Sequence, residues 1–143
     1  MITFNVVGTP VQQGSKRHVG GGRFIEAANG HRQWRYAVAN KAAQLAAELD
    51  GPLDGPLMLA VVFRFPMPAS RSRKVQAQKV GWKQSAPDLD KLVRTIGDAL
   101  TESGLIRDDA RIGMVVATKV EVTDWSGVVV TLSELSELPW VAS

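Results

Sequence analysis

The sequence predicts one α/β (α+β) domain: a single mixed β-sheet with two main helices, in the order β-α-β-α-β-β. Three observations carry that prediction. Apolar residues recur at helical spacing at Trp34, Val38, Ala42, Leu45 and Leu49, and again at Leu92, Ile96, Ala99 and Leu100. Apolar, β-branched runs fill residues 57–65 and much of 111–132. The chain has 143 residues, the length of one domain that buries a core without staples.

The elements follow in order. Residues 2–7 (ITFNVV) form a short strand ended by Gly8 and Pro10. A polar, Gly-rich basic loop over about 11–24 carries Lys16, Arg17, His18 and Arg23. Its Gly20-Gly21-Gly22 run is no phosphate-binding P-loop, because no Lys-Ser/Thr pair ends it. A helix runs from about Asn29 to Leu49, rich in helix-favouring alanine. Gly51, Pro52, Gly55 and Pro56 then turn the chain. Residues 57–65 (LMLAVVFRF) are a strand with both faces apolar, hence central. A second basic loop spans 66–87. The next helix covers about Lys91–Ser103, with Gly104 as its stop. Arg111–Val122 and Gly127–Leu132 are two strands joined near Thr123–Ser126, expected as an antiparallel pair. In the tail, Leu135, Leu138 and Trp140 are expected to dock on the domain or on a second subunit.

Composition removes several function classes. There is no cysteine, which excludes disulfides, thiolate metal sites and a cysteine nucleophile. No run of 18 apolar residues exists, so no membrane-spanning helix is expected. The opening MITFNVVGTP lacks a signal-peptide layout, and a cytoplasmic protein is the expectation. The net charge of +3 hides an asymmetry. Residues 1–83 hold twelve Lys/Arg and four Asp/Glu; residues 84–143 hold five and ten. A basic half joined to an acidic half suits holding both an anion and a cation.

The chemistry lies in the acidic half. Pro87 favours extended backbone before it. If Asp88 and Asp90 are extended as well, their side chains share one side, with Cα atoms roughly 7 Å apart. Asp108-Asp109 precede the next strand, and the helical excursion between can return them beside the first pair. Converging carboxylates suit Mg²⁺, which also takes phosphate oxygens. Such an ion polarises a scissile phosphate and activates water. Arg94 can meet the charge that develops at phosphorus, with Asp98 one turn further on. Plainer roles fit the same residues: Asp90 as an N-cap, Asp88 and Asp108-Asp109 in turns, and Arg94 with Asp98 as a surface pair.

The stretch resembles the RusA family of Holliday junction resolvases, small endodeoxyribonucleases often carried by phages and prophages. The resemblance lies in Asp88-Leu89-Asp90-Lys91-Leu92-Val93-Arg94, then Asp98-Ala99-Leu100, then Asp108-Asp109. It covers about 25 residues closely and, through Gly14-Ser15-Lys16-Arg17 and the element order, most of the chain loosely. It implies that Asp88, Asp90 and Asp109 are the metal-binding, catalytic carboxylates, with Asp98 and Asp108 supporting. It also implies Mg²⁺ or Mn²⁺, and a homodimer that nicks a four-way DNA junction symmetrically. Two positions depart from the family pattern. Arg94 stands where a catalytic lysine is usual, which favours an electrostatic role because arginine keeps its proton. Lys91 stands where asparagine is common.

Two basic sets are candidate DNA contacts: Lys16, Arg17 and Arg23 in the first loop, and Arg71, Arg73, Lys74, Lys79 and Lys83 in the second, with Lys91 beside the acidic motif. Solvation alone would also account for the loop charges. Trp82 is either a core anchor or a platform for an exposed base. His18 and His31 lack metal-ligand spacing and are expected at the surface. Trp34 is expected in the core. The competing functions are a non-catalytic DNA-binding accessory protein and a nuclease for other branched DNA.

Overall fold

The computed structural model describes residues 1–12, 16–19, 23–26 and 30–136, the two short stretches 16–19 and 23–26 by backbone alone. One five-stranded mixed sheet forms the body. Its strands are β1 (Ile2–Val7), β4 (Leu57–Pro66), β5 (Val80–Trp82), β6 (Ile112–Val122) and β7 (Gly127–Glu134). They lie in the order β1-β7-β4-β6-β5. The helices are α1 (His31–Ala46), α2 (Arg73–Gln78) and α3 (Leu89–Ser103). A hairpin of β2 (Lys16–Val19) and β3 (Arg23–Glu26) stands apart as a second, two-stranded sheet.

The expected single α+β domain with two main helices is what the structure contains. β4 is central as its composition required, flanked by β7 and β6. Its alternate residues Leu57, Leu59, Val61, Phe63 and Phe65 are buried and join Trp34 and Val38 of α1 and Leu92, Ile96 and Leu100 of α3 in one core. β7 contributes Val128, Val130 and Leu132 to that core. The helical stripes in the sequence are therefore the faces laid on one side of the sheet, and Trp34 is core. Gly104 ends α3 at φ 80°, the left-handed geometry that favours glycine.

Five expectations need correction. The loop expected over 11–24 contains the β2–β3 hairpin, with Lys16 opposite Glu26 and Val19 opposite Arg23. The loop expected over 66–87 contains α2 and β5; Ser72 caps α2 by accepting a hydrogen bond from the Val75 N–H at 3.2 Å. α3 starts at Leu89, two residues earlier than expected. β6 and β7 do not pair with each other: β6 runs parallel to β4, and β7 runs antiparallel to it on the other side. Residues 123–126 therefore step across the end of β4. Arg64 holds that step through its Nε–H to the Trp125 carbonyl (3.1 Å), an ion pair with Asp124 and a guanidinium 4.2 Å above the Trp125 ring. Finally, His31 is buried at the start of α1, its Nε2 3.2 Å from the buried Thr95 hydroxyl.

The step lands on Gly127, which has φ 149° and pairs with Val7 across β1–β7. A Cβ there would lie 2.0 Å from the Val6 carbonyl oxygen. Gly127→Ala is expected to cost about 2–4 kcal/mol in urea denaturation, at or beyond the upper range of overpacking. Gly113→Ala, whose Cβ would meet nothing closer than 3.8 Å, is expected to change stability by under about 0.5 kcal/mol.

Candidate active site and nucleic-acid interface

Because β4 and β6 are parallel, no hairpin can join them. The crossover, residues 67–111, carries α2, β5, α3 and a 3₁₀ turn at Asp109–Arg111. Nearly every residue singled out for chemistry lies on it.

Asp88 stands in extended backbone at the N-cap of α3, and its side chain makes no capping hydrogen bond. Its N–H donates to Gln12 Oε1 at 2.9 Å, and its carbonyl accepts from the Leu92 N–H at 3.1 Å. The carboxylate is exposed and 3.4 Å from Lys91 Nζ, so Lys91 pairs with the acidic motif. Asp90 is not the residue before the helix; it lies in the first turn, where the helix dipole favours a negative charge. Asp90, Arg94 and Asp98 then follow at i,i+4 along one side of α3. The Arg94–Asp98 surface pair weighed from the sequence is not among the ion pairs formed by the described residues.

Asp109 packs against the buried Gly97 of α3. A Cβ on Gly97 would stand 3.5 Å from Asp109 Cβ and 3.7 Å from its Oδ2, so alanine would fit and a longer side chain would displace Asp109. Two carboxylates crowd it. Its carboxyl is pushed above the usual range, first by a hydrogen bond shared with Asp108, then by burial and the charges of Asp108 and Asp98. Asp108 is pulled the other way, chiefly by the Ala110 N–H, which donates to its Oδ1 at 2.8 Å. Among the described residues, Asp90, Asp98 and Asp109 are in no ion pair.

Asp109 thus groups with Asp98 and Asp108. Gly97 is seven residues from Asp90, about 10 Å along a helix rising 1.5 Å per residue. Among the described residues no three acidic or histidine side chains stand close enough to hold one metal ion. The donor chemistry still fits a hard divalent cation: every candidate ligand is a carboxylate oxygen, and the crowding at Asp109 is of the kind a cation relieves.

The basic candidates separate. The backbones of Lys16, Arg17 and Arg23 lie on the β2–β3 hairpin, and their side chains, like that of His18, lie outside the described part, as do Leu138 and Trp140. Arg73 and Lys74 are exposed on α2, and Lys79 caps it in left-handed geometry. Lys83 Nζ donates to Ser85 Oγ at 3.1 Å and stands 4.9 Å from the Phe65 ring centre. Arg71 has a protein partner: its Nε–H and Nη2–H donate to the two oxygens of Glu121 at 2.7 and 2.9 Å. Glu121 is 1% exposed. Trp82 is no core anchor; it is 70% exposed on the edge strand β5.

Sequence reasoning missed four positioning residues: Gln12, Gly97, Lys119 and Glu121. Lys119 Nζ donates to the carbonyls of Ser85 and Pro87, both at 2.8 Å, and so fixes the segment that delivers Asp88. Lys119 and Glu121 lie opposite the buried Phe63 and Phe65 of β4. Charges at core-facing positions of an apolar strand were the available signal, because such charges need partners.

The sequence profile of the family described as Endodeoxyribonuclease RusA matches residues 6–133. No curated protein matches the chain.

Arg71 holds the Glu121 carboxyl below the usual carboxylate range. The stabilisation this gives is present above the unfolded-state pKa and is lost as pH falls through the lowered folded value. Arg71→Ala is expected to lower stability near pH 7, by less than the loss of a wholly buried pair because Arg71 is 40% exposed. With its partner gone, burial raises the Glu121 pKa, so the variant regains stability as pH falls from about 7 towards 5, where the wild type does not. Urea denaturation across that range checks both signs.

Proposed function

The chain belongs to the RusA family of endodeoxyribonucleases, and from that membership we propose that it resolves four-way DNA junctions by hydrolysing one phosphodiester in each of two opposed strands. The observation that carries the reading is the acidic arrangement on the crossover: Asp88 and Asp90 at the start of α3, and Asp109 pressed on Gly97 between Asp98 and Asp108. In this reading Asp88, Asp90 and Asp109, which do not converge on one point in this arrangement, would draw together to hold a Mg²⁺ or Mn²⁺ ion, whose chemistry there would be to polarise the scissile phosphate and activate the attacking water.

The chain's own residues do the rest. Asp98 and Asp108 set the charge around Asp109. Arg94, one turn after Asp90 and exposed, offers a guanidinium to the negative charge that builds on the phosphate oxygens. Its part is electrostatic. Lys119 and Gln12 hold the peptide that leads into Asp88, Lys119 at the Pro87 carbonyl and Gln12 at the Asp88 N–H. Arg73, Lys74, Lys79 and Lys83 take phosphates of the DNA arms, and Lys16, Arg17 and Arg23 take others from the hairpin side. Lys91 shields Asp88 from the incoming polyanion.

Paired nicks call for a homodimer, whose two-fold axis matches the symmetry of a four-way junction. Val128, Val130 and Leu132 of β7 are core and cannot form the interface. The outer edge of β6 fits better: β5 covers only Val120–Val122 of it, and Val115 and Val116 are exposed. No helix of the described residues is long and apolar enough to cross a membrane, and the proposed place of action is the cytoplasm of a bacterial cell.

A cleavage assay on a synthetic four-way junction, a linear duplex and a flap, with Mg²⁺ and with EDTA, tests the reading. Paired nicks confined to the junction and lost in EDTA are the expected result. Cutting of the flap as well would make it a nuclease of other branched DNA. Junction binding without cleavage under any divalent ion would make it an accessory protein. Asp88→Asn, Asp90→Asn and Asp109→Asn are each expected to lower cleavage by at least about 10³-fold while leaving junction affinity equal or higher. Arg94→Ala should lower cleavage by about 10²–10³-fold. Wild-type rates in the aspartate variants would rule out the metal-holding role.

Replacing Arg73, Lys74 and Lys79 together with alanine is expected to weaken binding to all DNA forms. It should also reduce the slope of log affinity against log salt by about 2–3 units, some 0.9 per lost duplex phosphate contact. An unchanged slope would assign α2 another task.

A further inference from the structure

Among the large apolar side chains of the described surface, Trp82 is 70% exposed and sits on the edge strand β5. Two clefts border it. One, of about 570 Å³, lies between β5 and α2 and is lined by Arg71, Val75, Gln78, Gln84 and Ser85. The other, of about 330 Å³, is lined by Gln78, Val80 and Val120. Both volumes fall in the range of small-ligand sites, about 300–1,000 Å³. Gly81 also borders both clefts, and it leaves the strand without a side chain beside the tryptophan.

The chemistry of this recess is specific. The indole offers a flat apolar face. Gln78 and Gln84 offer amides that both donate and accept. The one carboxylate in the lining, Glu121, has both oxygens taken by Arg71. α2, which walls the larger cleft through Val75 and Gln78, also carries exposed cations, Arg73 and Lys74, with Lys79 at its end. A flat apolar face, hydrogen-bonding groups for an edge and cations for flanking phosphates together match a nucleotide whose base has left its stack. A duplex base pair, stacked on both sides, has no free face to offer.

We propose that this recess receives an unstacked nucleobase of the DNA substrate, stacked on Trp82 and met at its edge by Gln78 or Gln84. The proposal rests on the reading of the chain as a nuclease of branched DNA, since branch points are where duplex bases lose a stacking neighbour. The recess and the carboxylates belong to one connection. Five residues separate Trp82 from Asp88, a span of at most about 22 Å, and Lys119 ties the intervening segment to β6. A single DNA strand reaches both.

The test uses the full chain in EDTA, with three probes: a single-stranded oligonucleotide carrying 2-aminopurine, a four-way junction carrying it at the branch point, and a linear duplex. The wild type is expected to change the 2-aminopurine emission of the first two. Trp82→Ala should weaken binding to them by about 5- to 100-fold, the loss of one stacked base. Its duplex affinity, set by phosphates, should move less than about twofold. Trp82→Phe keeps a π-face and should recover most of the loss. Gln84→Ala, at an exposed position outside the core, should cost about 2- to 10-fold and keeps the test open if Trp82→Ala does not fold. Unchanged single-strand and junction affinity in Trp82→Ala would overturn the proposal, as would an equal loss on duplex. A shift of the monomer–dimer equilibrium with DNA selectivity intact would overturn it too, and would assign Trp82 to a protein contact. If the wild type binds junctions here and cuts them with Mg²⁺ while Trp82→Ala matches its binding, only the base recess falls. If the wild type binds no form of DNA either in EDTA or with Mg²⁺, the functional reading itself falls.

Discussion

The parallel pairing of β4 with β6 is the constraint from which the rest of the molecule follows. A parallel pair leaves the two strands running the same way, so the chain must travel back the length of the sheet before β6 can begin. Residues 67–111 make that journey. Their first stretch is exposed and basic, and their return leg is α3, whose apolar stripe roofs the sheet while its polar side carries Asp90, Arg94 and Asp98. The 3₁₀ turn that ends the journey sets Asp109 against the middle of α3. The site is thus built on a connection the sheet topology makes unavoidable, and both ends of that connection are welded to the central strands by ladder hydrogen bonds.

A connection of this length needs fastening between its ends, and β6 supplies it from two neighbouring inward-facing positions. Glu121 grips Arg71 at the outgoing end, and Lys119 grips the carbonyls of Ser85 and Pro87 just before Asp88. Neither charge would be tolerated at such a position without a partner, because burying an unpaired ion costs several kcal/mol. An apolar pair would pack as well, but it would not fix the direction of a loop. Directional bonds to named carbonyls do, and the segment between the two grips holds Trp82, Lys83 and α2.

The sheet and its helices were legible in the sequence because period and burial coincide there. The stripe Trp34–Val38–Ala42 and the run 57–65 each have one physical solution. Legibility ended where long-range pairing decides. Nothing in Arg111–Val122 and Gly127–Leu132 says that β4 lies between them; a four-residue connection suits a hairpin equally well, and only Arg64 and Gly127 mark the step across. α2 and β5 are too short for a periodic signal, and their residues are exposed. His31 was misplaced because one polar partner, Thr95 on another helix, is enough to bury it. The carboxylate motif was legible as residues and spacing. Its geometry was not, because the start of α3 at Leu89 turns Asp90 away from the extended arrangement that alternation would give.

Several places where the sequence departs from what stability favours lie on or beside that connection. Gly97 sits in the middle of α3, where alanine would be favoured by about 1 kcal/mol. Asp98, Asp108 and Asp109 crowd like charges together. Lys119 and Glu121 interrupt an apolar strand, and Trp82 leaves an aromatic ring in water. A fold under selection for stability alone would lose each of these, since each has a cheaper replacement that keeps the same backbone. Their concentration on one stretch of chain, with the opposite charge on its two legs, is what a surface needs if it must hold a polyanion beside carboxylates. The carboxylates repel the phosphates unless a cation lies between them, so the arrangement favours DNA and cation together over either alone. Mutual dependence of this kind ties the basic leg to the acidic one, and it gives the asymmetry of charge along the sequence a physical reason.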